Sequence, residues 1–433
     1  MLHIFTRDLR ISDNNSLNLL ENVIPIFIFT PEQVSQNSYK SDNAVQFMVE
    51  SLKDLNKQLN GNLGLFYGEF DKVIKKIIKT SKINTISITK DYTPYAKKRE
   101  QILKKICNNN IKLSITEDYF LTDKIDNIKL YKKYTPYKKI SEKIKIAPIK
   151  TKKLSFKKIK GNYDFTKAQK LYKENPNINL RGGRENGLKQ LSKISNHNSY
   201  SKERNNLSKE TTEMSAYLKF GCISIREMYW AVKKLSASKD LISQLIWRDF
   251  YFQLSKTIVK LENPLKEKYS KIKWSNNKTH FEAWINGKTG FPIVDAGMRQ
   301  LNSTGFMHNR ARLITASFLV KTLLIDWQWG EKYYATKLYD YDPLVNNGNW
   351  QWISGSGADS QPYFRVFNPW LQSKTHDPKC EYIKKWIPEL KDIEPKTIHK
   401  WYEKYDDKIY IKPIVNFDEQ KKIVLTEYKK IYK

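Results

Sequence analysis

Asp340-Tyr341-Asp342-Pro343-Leu344-Val345-Asn346-Asn347-Gly348-Asn349-Trp350-Gln351-Trp352 sets two indoles two residues apart among amides and carboxylates. A buried indole needs a partner for its N–H. Such a polar string suits a pocket for a large, flat, redox-active or stacking ligand. Taken alone, Trp-x-Trp in a large helical protein is usually just a piece of core, so the surrounding sequence decides. From about Gly182 onward the apolar pattern is helical. Val320, Leu323, Leu324 and Trp327 fall at i, i+3, i+4 and i+7, which predicts one face of an amphipathic helix. All eleven tryptophans lie in this half. Upstream, periodicity fades and lysines crowd, as in Lys150-Thr151-Lys152-Lys153 and Lys157-Lys158, which reads as a surface linker over 126–185. In the first 125 residues, short apolar runs (Leu2–Phe5, Val23–Phe29, Leu63–Tyr67, Thr85–Ile88) alternate with helix-length segments such as Asn43–Leu59 and Tyr95–Ile106. That alternation predicts an α/β domain, a doubly wound parallel sheet with helices on both faces. Pro25 counts against a perfectly regular second strand. The expected order is an α/β domain (1–125), a linker (126–185) and an all-helical domain (186–433), without internal repeats.

At 433 residues with 40% hydrophobic content the chain is globular and long enough for two domains. Its 77 Lys+Arg against 45 Asp+Glu give a net charge of +32. A field of that sign favours a polyanion, meaning nucleic acid or an anionic membrane surface. Abundant Lys, Asn and Ile together also fit a genome-wide compositional drift. Cys107, Cys222 and Cys380 are too widely spaced for a metal site and suggest reduced thiols in an intracellular compartment. Arg7, Asp8 and Arg10 exclude a signal-peptide core, and no apolar run approaches the ~20 residues that span a bilayer. The expectation is a soluble intracellular monomer, in cytoplasm or nucleus according to host.

Several segments carry more specific information. Phe5-Thr6-Arg7-Asp8-Leu9-Arg10 and Asp13-Asn14 open the chain. The helical half offers Tyr200-Ser201-Lys202-Glu203-Arg204, Thr211-Thr212-Glu213-Met214-Ser215, Gln244-Leu245-Ile246-Trp247-Arg248-Asp249-Phe250 and Gly305–Arg312. Phe291–Ala296, the Asp340–Trp352 string and Tyr363–Pro369 follow. In this order and spacing, over essentially the whole chain, they resemble the photolyase/cryptochrome family, most closely its class I cyclobutane pyrimidine dimer photolyases. The resemblance implies FAD bent into a U within the helical domain, active in its reduced, anionic form, and light-driven electron transfer to damaged DNA.

Carried over residue by residue, it implies a cofactor site of Tyr200, Thr211, Thr212, Met214, Ser215, Gln244, Arg248, Asn309, Arg312, Asp340, Asp342 and Asn346. The hydroxyls and N–H groups of Thr211, Thr212 and Ser215 suit a pyrophosphate, although the same pattern serves as a helix N-cap. Asn309 and Arg312 are three apart and share a helix face. In the family the Arg pairs with the aspartate matching Asp340, and a cation there stabilises the anionic reduced flavin. Asn346 takes the position facing flavin N5, where an amide can accept from N5–H of the reduced ring or donate to other forms. Trp350, Trp327 and Trp274 match the family's electron-relay triad. Trp247 and Trp352 match the pair that packs on the flipped lesion, with Asn309 and Leu313 beside them. Photolyases belong to the enzymes known to extrude their target base, at a cost of a few kcal/mol. Stacking on aromatic rings returns about 1–3 kcal/mol per base.

The chain departs from the pattern in places. Gln244 stands where many dimer photolyases have a glutamate, and an amide hydrogen-bonds without donating a proton as an acid. The (6-4) photolyases also tend to carry Gln here, but they need two histidines where this chain has Asn309 and Leu313. Around Asp91–Arg99 the Asn-Glu pair associated with folate is missing, so a deazaflavin, a second flavin or no antenna all remain open. A cryptochrome-type photoreceptor is the rival reading; it usually carries an extended signalling tail, whereas about sixty residues follow Pro369 here.

Overall fold

The structure is a computed structural model describing residues 1–107, 110–122, 130–255, 261 and 263–432. Five parallel strands, β1 (Leu2–Ile4), β2 (Ile24–Phe29), β3 (Gly64–Tyr67), β4 (Thr85–Thr89) and β5 (Lys112–Thr116), form one sheet in the order β3-β2-β1-β4-β5. The four expected strands are all present; β5 was not anticipated. Pro25 is accommodated at the start of β2. The Ile24 N–H points toward β1, donating to Met1 O at 2.8 Å, so Pro25 faces the other side, ahead of the Ile26↔Gly64 register where β3 pairing begins. A missing donor there breaks no ladder bond.

Helices α1 (Asp42–Gln58), α2 (Phe70–Thr80) and α3 (Pro94–Ile106) cover the sheet. In α2 the buried Phe70, Val73, Ile74 and Ile77 fall at i, i+3, i+4 and i+7, an apolar stripe against the sheet. α1 is capped by the Ser41 side chain, which accepts from Ala44 N. Its Phe47 reaches the helical half, where its ring packs on Tyr217, Phe220 and Tyr339 at 5.2–5.8 Å. The two halves therefore share one core. Gly221 allows the closest approach: φ is +66°, and a Cβ there would lie 2.1 Å from Arg7 O. A buried network of Arg10, Asp13, Asp118 and Arg226 joins the same surfaces.

The boundary expected near residue 125 falls within 123–129, outside the described residues. The segment expected as a draped linker is held more closely than that. Its helix α4 (Tyr134–Ser141) buries Tyr134 and Tyr137. Further on, Lys157 N donates to Val23 O and Tyr163 N to Leu65 O, clipping the chain to the sheet edge.

In the helical half, α5 (Ser215–Lys219), α6 (Ser238–Leu254), α7 (Asn309–Lys321), α8 (Trp327–Lys337) and α9 (Pro343–Ser354) surround a cavity. The continuous helix expected through Val320–Trp327 is absent. α7 stops at Lys321, Leu324 adopts φ +52°, and α8 begins only at Trp327. Ser275 holds this turn by donating from N to Leu324 O (2.8 Å) and from Oγ to Leu323 and Leu324 O, while Asp326 caps α8 by accepting from Gln328 N. All four apolar residues are nonetheless buried. Their spacing reports burial, which a tight turn satisfies as well as a helix.

Candidate functional site

The Asp340–Trp352 string folds as a capped helix. Asp342 is the N-cap of α9, its Oδ1 accepting from Leu344 N and Val345 N, with Pro343 at the first helical position and Gly355 closing the other end in the left-handed region. Asn346 and Trp350, four apart, share the face turned to the cavity. Two glycines make the packing possible: a Cβ on Gly348 would lie 2.3 Å from Tyr251 of α6, and one on Gly330 of α8 would lie 2.1 Å from the Trp350 indole.

The cavity measures about 580 Å³. Its wall includes Tyr200, Thr211, Thr212, Met214, Ser215, Gln244, Trp247, Arg248, Asn309, Arg312, Leu313, Asp340, Asp342, Asn346, Trp350 and Trp352. Sixteen residues singled out from widely separated segments thus meet at one place. Trp327 and Trp274 do not line it. Trp327 shares a buried apolar cluster with Trp350 and opens α8, whose Gly330 touches the Trp350 ring, and Trp274 precedes the Ser275 bonded to the turn just before Trp327. Trp350 and Trp327 are buried and Trp274 is half-buried. Trp350 also makes edge contacts with Tyr334 (4.9 Å) and Trp284 (6.3 Å).

The two aspartates differ. Asp342 is fully engaged: beyond its cap, Oδ2 accepts from Arg7 and from Tyr119 Oη. Burial would push this carboxyl up, but the Arg7 guanidinium holds it below its ordinary value. Asp340 Oδ2 accepts from Arg312 (2.9 Å) and Ser215 Oγ (2.6 Å), while its buried Oδ1 has no protein partner. A buried carboxylate oxygen left open in a cavity wall calls for a donor from a ligand. The ribityl hydroxyls and ring N–H groups of FAD are such donors, and Arg204, Arg248 and Arg310 in the same wall carry positive charge suited to its pyrophosphate. The cavity fits that cofactor in size class and chemistry.

Asn346 is oriented by a residue that sequence reasoning missed. Its Nδ2 donates to Glu331 Oε1 (2.9 Å) and to Glu331 O (3.2 Å). A backbone carbonyl can only accept, so the amide nitrogen is fixed on that side and Oδ1 is left for the cavity. Burial raises the Glu331 carboxyl to about 7. Lys219 was also missed: burial first, then the charge of Arg7, lowers its ammonium to about 7. His308, adjacent to Asn309, stays out of the cavity wall as the N-cap of α7, Nδ1 accepting from Arg310 N. Burial, then Arg312 and Arg310, lowers it to about 4, so it is neutral at pH 7. Among the described residues no cluster is placed to hold a metal ion and no helix is long and apolar enough to cross a membrane.

A sheet-plus-helical-bundle chain with a flavin-sized cavity of this make-up defines a flavoprotein architecture, and the comparisons make it specific. Residues 1–154 match the DNA photolyase family and residues 241–430 the FAD binding domain of DNA photolyase. The deoxyribodipyrimidine photo-lyase of Buchnera aphidicola subsp. Acyrthosiphon pisum is 35% identical over 98% of this chain and 96% of its own length. The chain belongs to the DNA photolyase family. Among solved structures it resembles an archaeal photolyase from Sulfolobus tokodaii holding two FAD molecules (TM-score 0.91, 39% identity, 99% of each chain). A Synechocystis sp. PCC6803 cryptochrome is also similar (TM-score 0.89, 27% identity, 98% of each chain).

Proposed function

We propose that this protein repairs cyclobutane pyrimidine dimers in DNA under blue light, with the lesion flipped into the cavity mouth beside bound FAD. The observation that carries the reading is that one cavity unites the cofactor set, including the open Asp340 Oδ1, with the lesion set Gln244, Trp247, Asn309, Leu313 and Trp352. Reduced FAD, when bound, supplies the electron that the dimer takes up on illumination. Asn346 presents Oδ1, an acceptor matched to N5–H of the reduced ring, because Glu331 occupies its nitrogen. Arg312, held by Asp340 in the cavity wall, would supply a positive charge to stabilise a reduced, anionic cofactor. Trp247 and Trp352 offer half-buried indole surface for the extruded bases. Trp350, Trp327 and Trp274 carry electrons inward from the surface when the cofactor has become oxidised.

The amide at position 346 favours repair over photosensing, and the absence of an acid at Asn309 and Leu313, with His308 neutral and turned away, argues against (6-4) repair. A second chromophore, for which the two-FAD Sulfolobus structure offers a precedent, would fall in the crevice beside β1 and β4, where strand order reverses. The +32 charge suits DNA phosphates. The test uses the purified, reduced protein under blue light with two oligonucleotides, one bearing a cyclobutane dimer and one a (6-4) lesion. Restoration of intact bases only in the first is expected; turnover of the (6-4) lesion alone overturns the assignment.

A further inference from the structure

Trp247 is half-buried at the cavity mouth, yet one of its faces is already covered. Tyr134 of α4 lies flat against it, with ring centroids 3.7 Å apart and planes within 8°. Tyr134 is pinned. Its phenol donates to Ser243 O (2.7 Å) and, with its proton so used, accepts from Ser243 Oγ (2.6 Å). Ser243 sits four residues before Trp247 in α6, on the same helix face. Phe250 closes the assembly, edge-on to both Tyr134 (5.8 Å) and Trp247 (5.4 Å). A tyrosine serving only as core filler has no need to stack face to face on an indole that lines the cavity.

We infer that Tyr134 is a positioning residue for lesion recognition: it holds the Trp247 indole in the orientation that receives the flipped base, making α4 a support behind the substrate wall. The inference rests on the proposed role of Trp247 in packing on the dimer. An unsupported, half-exposed indole samples several rotamers and must be ordered when the lesion arrives, whereas a backed one is ordered beforehand. Freezing one such side chain is worth about a two- to tenfold change in affinity.

The experiment measures dissociation constants of the FAD-loaded protein in the dark, at one salt concentration. The probes are a duplex carrying a single cyclobutane dimer and the same duplex intact. Tyr134→Ala is expected to weaken binding of the dimer duplex about two- to tenfold and leave the intact duplex unaffected. Tyr134→Phe, which keeps the stack and loses only the Ser243 bonds, is expected to restore the preference for the dimer. Equal weakening of both duplexes by Tyr134→Ala, or an unchanged preference, overturns the inference. Trp247→Ala separates the two levels of argument. If it too leaves the preference unchanged, the proposed role of Trp247 fails and the inference falls with it. If Trp247→Ala abolishes the preference while Tyr134→Ala keeps it, only the positioning role fails. Should Tyr134→Ala not fold, Tyr134→Leu, which keeps bulk without a ring, is held to the same comparison.

Discussion

Glu331 to Gln isolates the residue that orients Asn346. The glutamine preserves an acceptor for Asn346 Nδ2 and removes only the ionisation. Glu331 is 4% exposed, and burial raises its carboxyl from 4.5 to about 7. Between those values the unfolded chain has lost the proton and the folded protein keeps it. The folded state therefore binds more protons, and stability falls as pH rises through this window, levelling above about 7. At 1.36 kcal/mol per pH unit, the penalty above neutrality is roughly 3 kcal/mol. In Glu331→Gln it vanishes. Wild type and variant should be closely matched near pH 4.5, with the variant gaining as pH rises to 8. For a chain of this length the gain corresponds to roughly 3–6 °C in Tm, scaling down the shifts of smaller domains. The assay is thermal unfolding of both FAD-saturated proteins at a series of pH values, taking the difference so that other titrating groups cancel. Parallel curves, or a variant that loses stability above pH 7, would refute the reasoning and mean that Glu331 is solvated or ion-paired.

Three further outcomes are expected. Trp350→Phe should block photoreduction of oxidised FAD by an external thiol donor yet leave repair nearly intact with pre-reduced cofactor; rapid photoreduction in the variant would assign the route to other rings. Affinity for dimer-containing duplex should fall with salt, with a log–log slope of roughly −0.9 per phosphate contacted; salt-independent binding would detach the positive charge from DNA recognition. Gln244→Glu should speed dimer repair, since a carboxyl buried beside the reduced cofactor is raised toward its protonated form by desolvation and like charge; an unchanged or slower rate in an illuminated oligonucleotide assay would remove proton donation from position 244.

The sequence was legible where a pattern has one structural solution. Alternating apolar runs led to β1–β4, and motif order led to the cavity wall. β5 escaped because Lys112–Thr116 is a half-exposed edge strand with only Leu113 and Ile115 apolar, where the expected strands were sought as continuous apolar runs. α2 carried a clear stripe at Phe70, Val73, Ile74 and Ile77 that strand–helix alternation already required. The apolar spacing through Trp327 identified buried residues correctly and their helix wrongly, because the Ser275 bonds that hold the Leu324 turn come from a segment about fifty residues away.

Glu331 and Lys219 escaped for a different reason, which bears on how the site works. Neither is unusual as a residue type in a chain with 28% charged residues; each becomes chemically distinct chiefly through burial, joined for Lys219 by the charge of Arg7, and both move toward neutrality. The burial is created jointly by the two halves. Arg7, just after β1, reaches Asp342 at the head of α9 and donates to Lys219 O. Gly221 seats Phe220 beside the same strand end. The N-terminal half thus contributes Tyr119 to the cavity wall, and Arg7 and Tyr119 together engage the Asp342 carboxylate. Weakening that contact, for example at Gly221, should loosen cofactor retention before it unfolds either half, because the groups it shields are the ones that burial makes special.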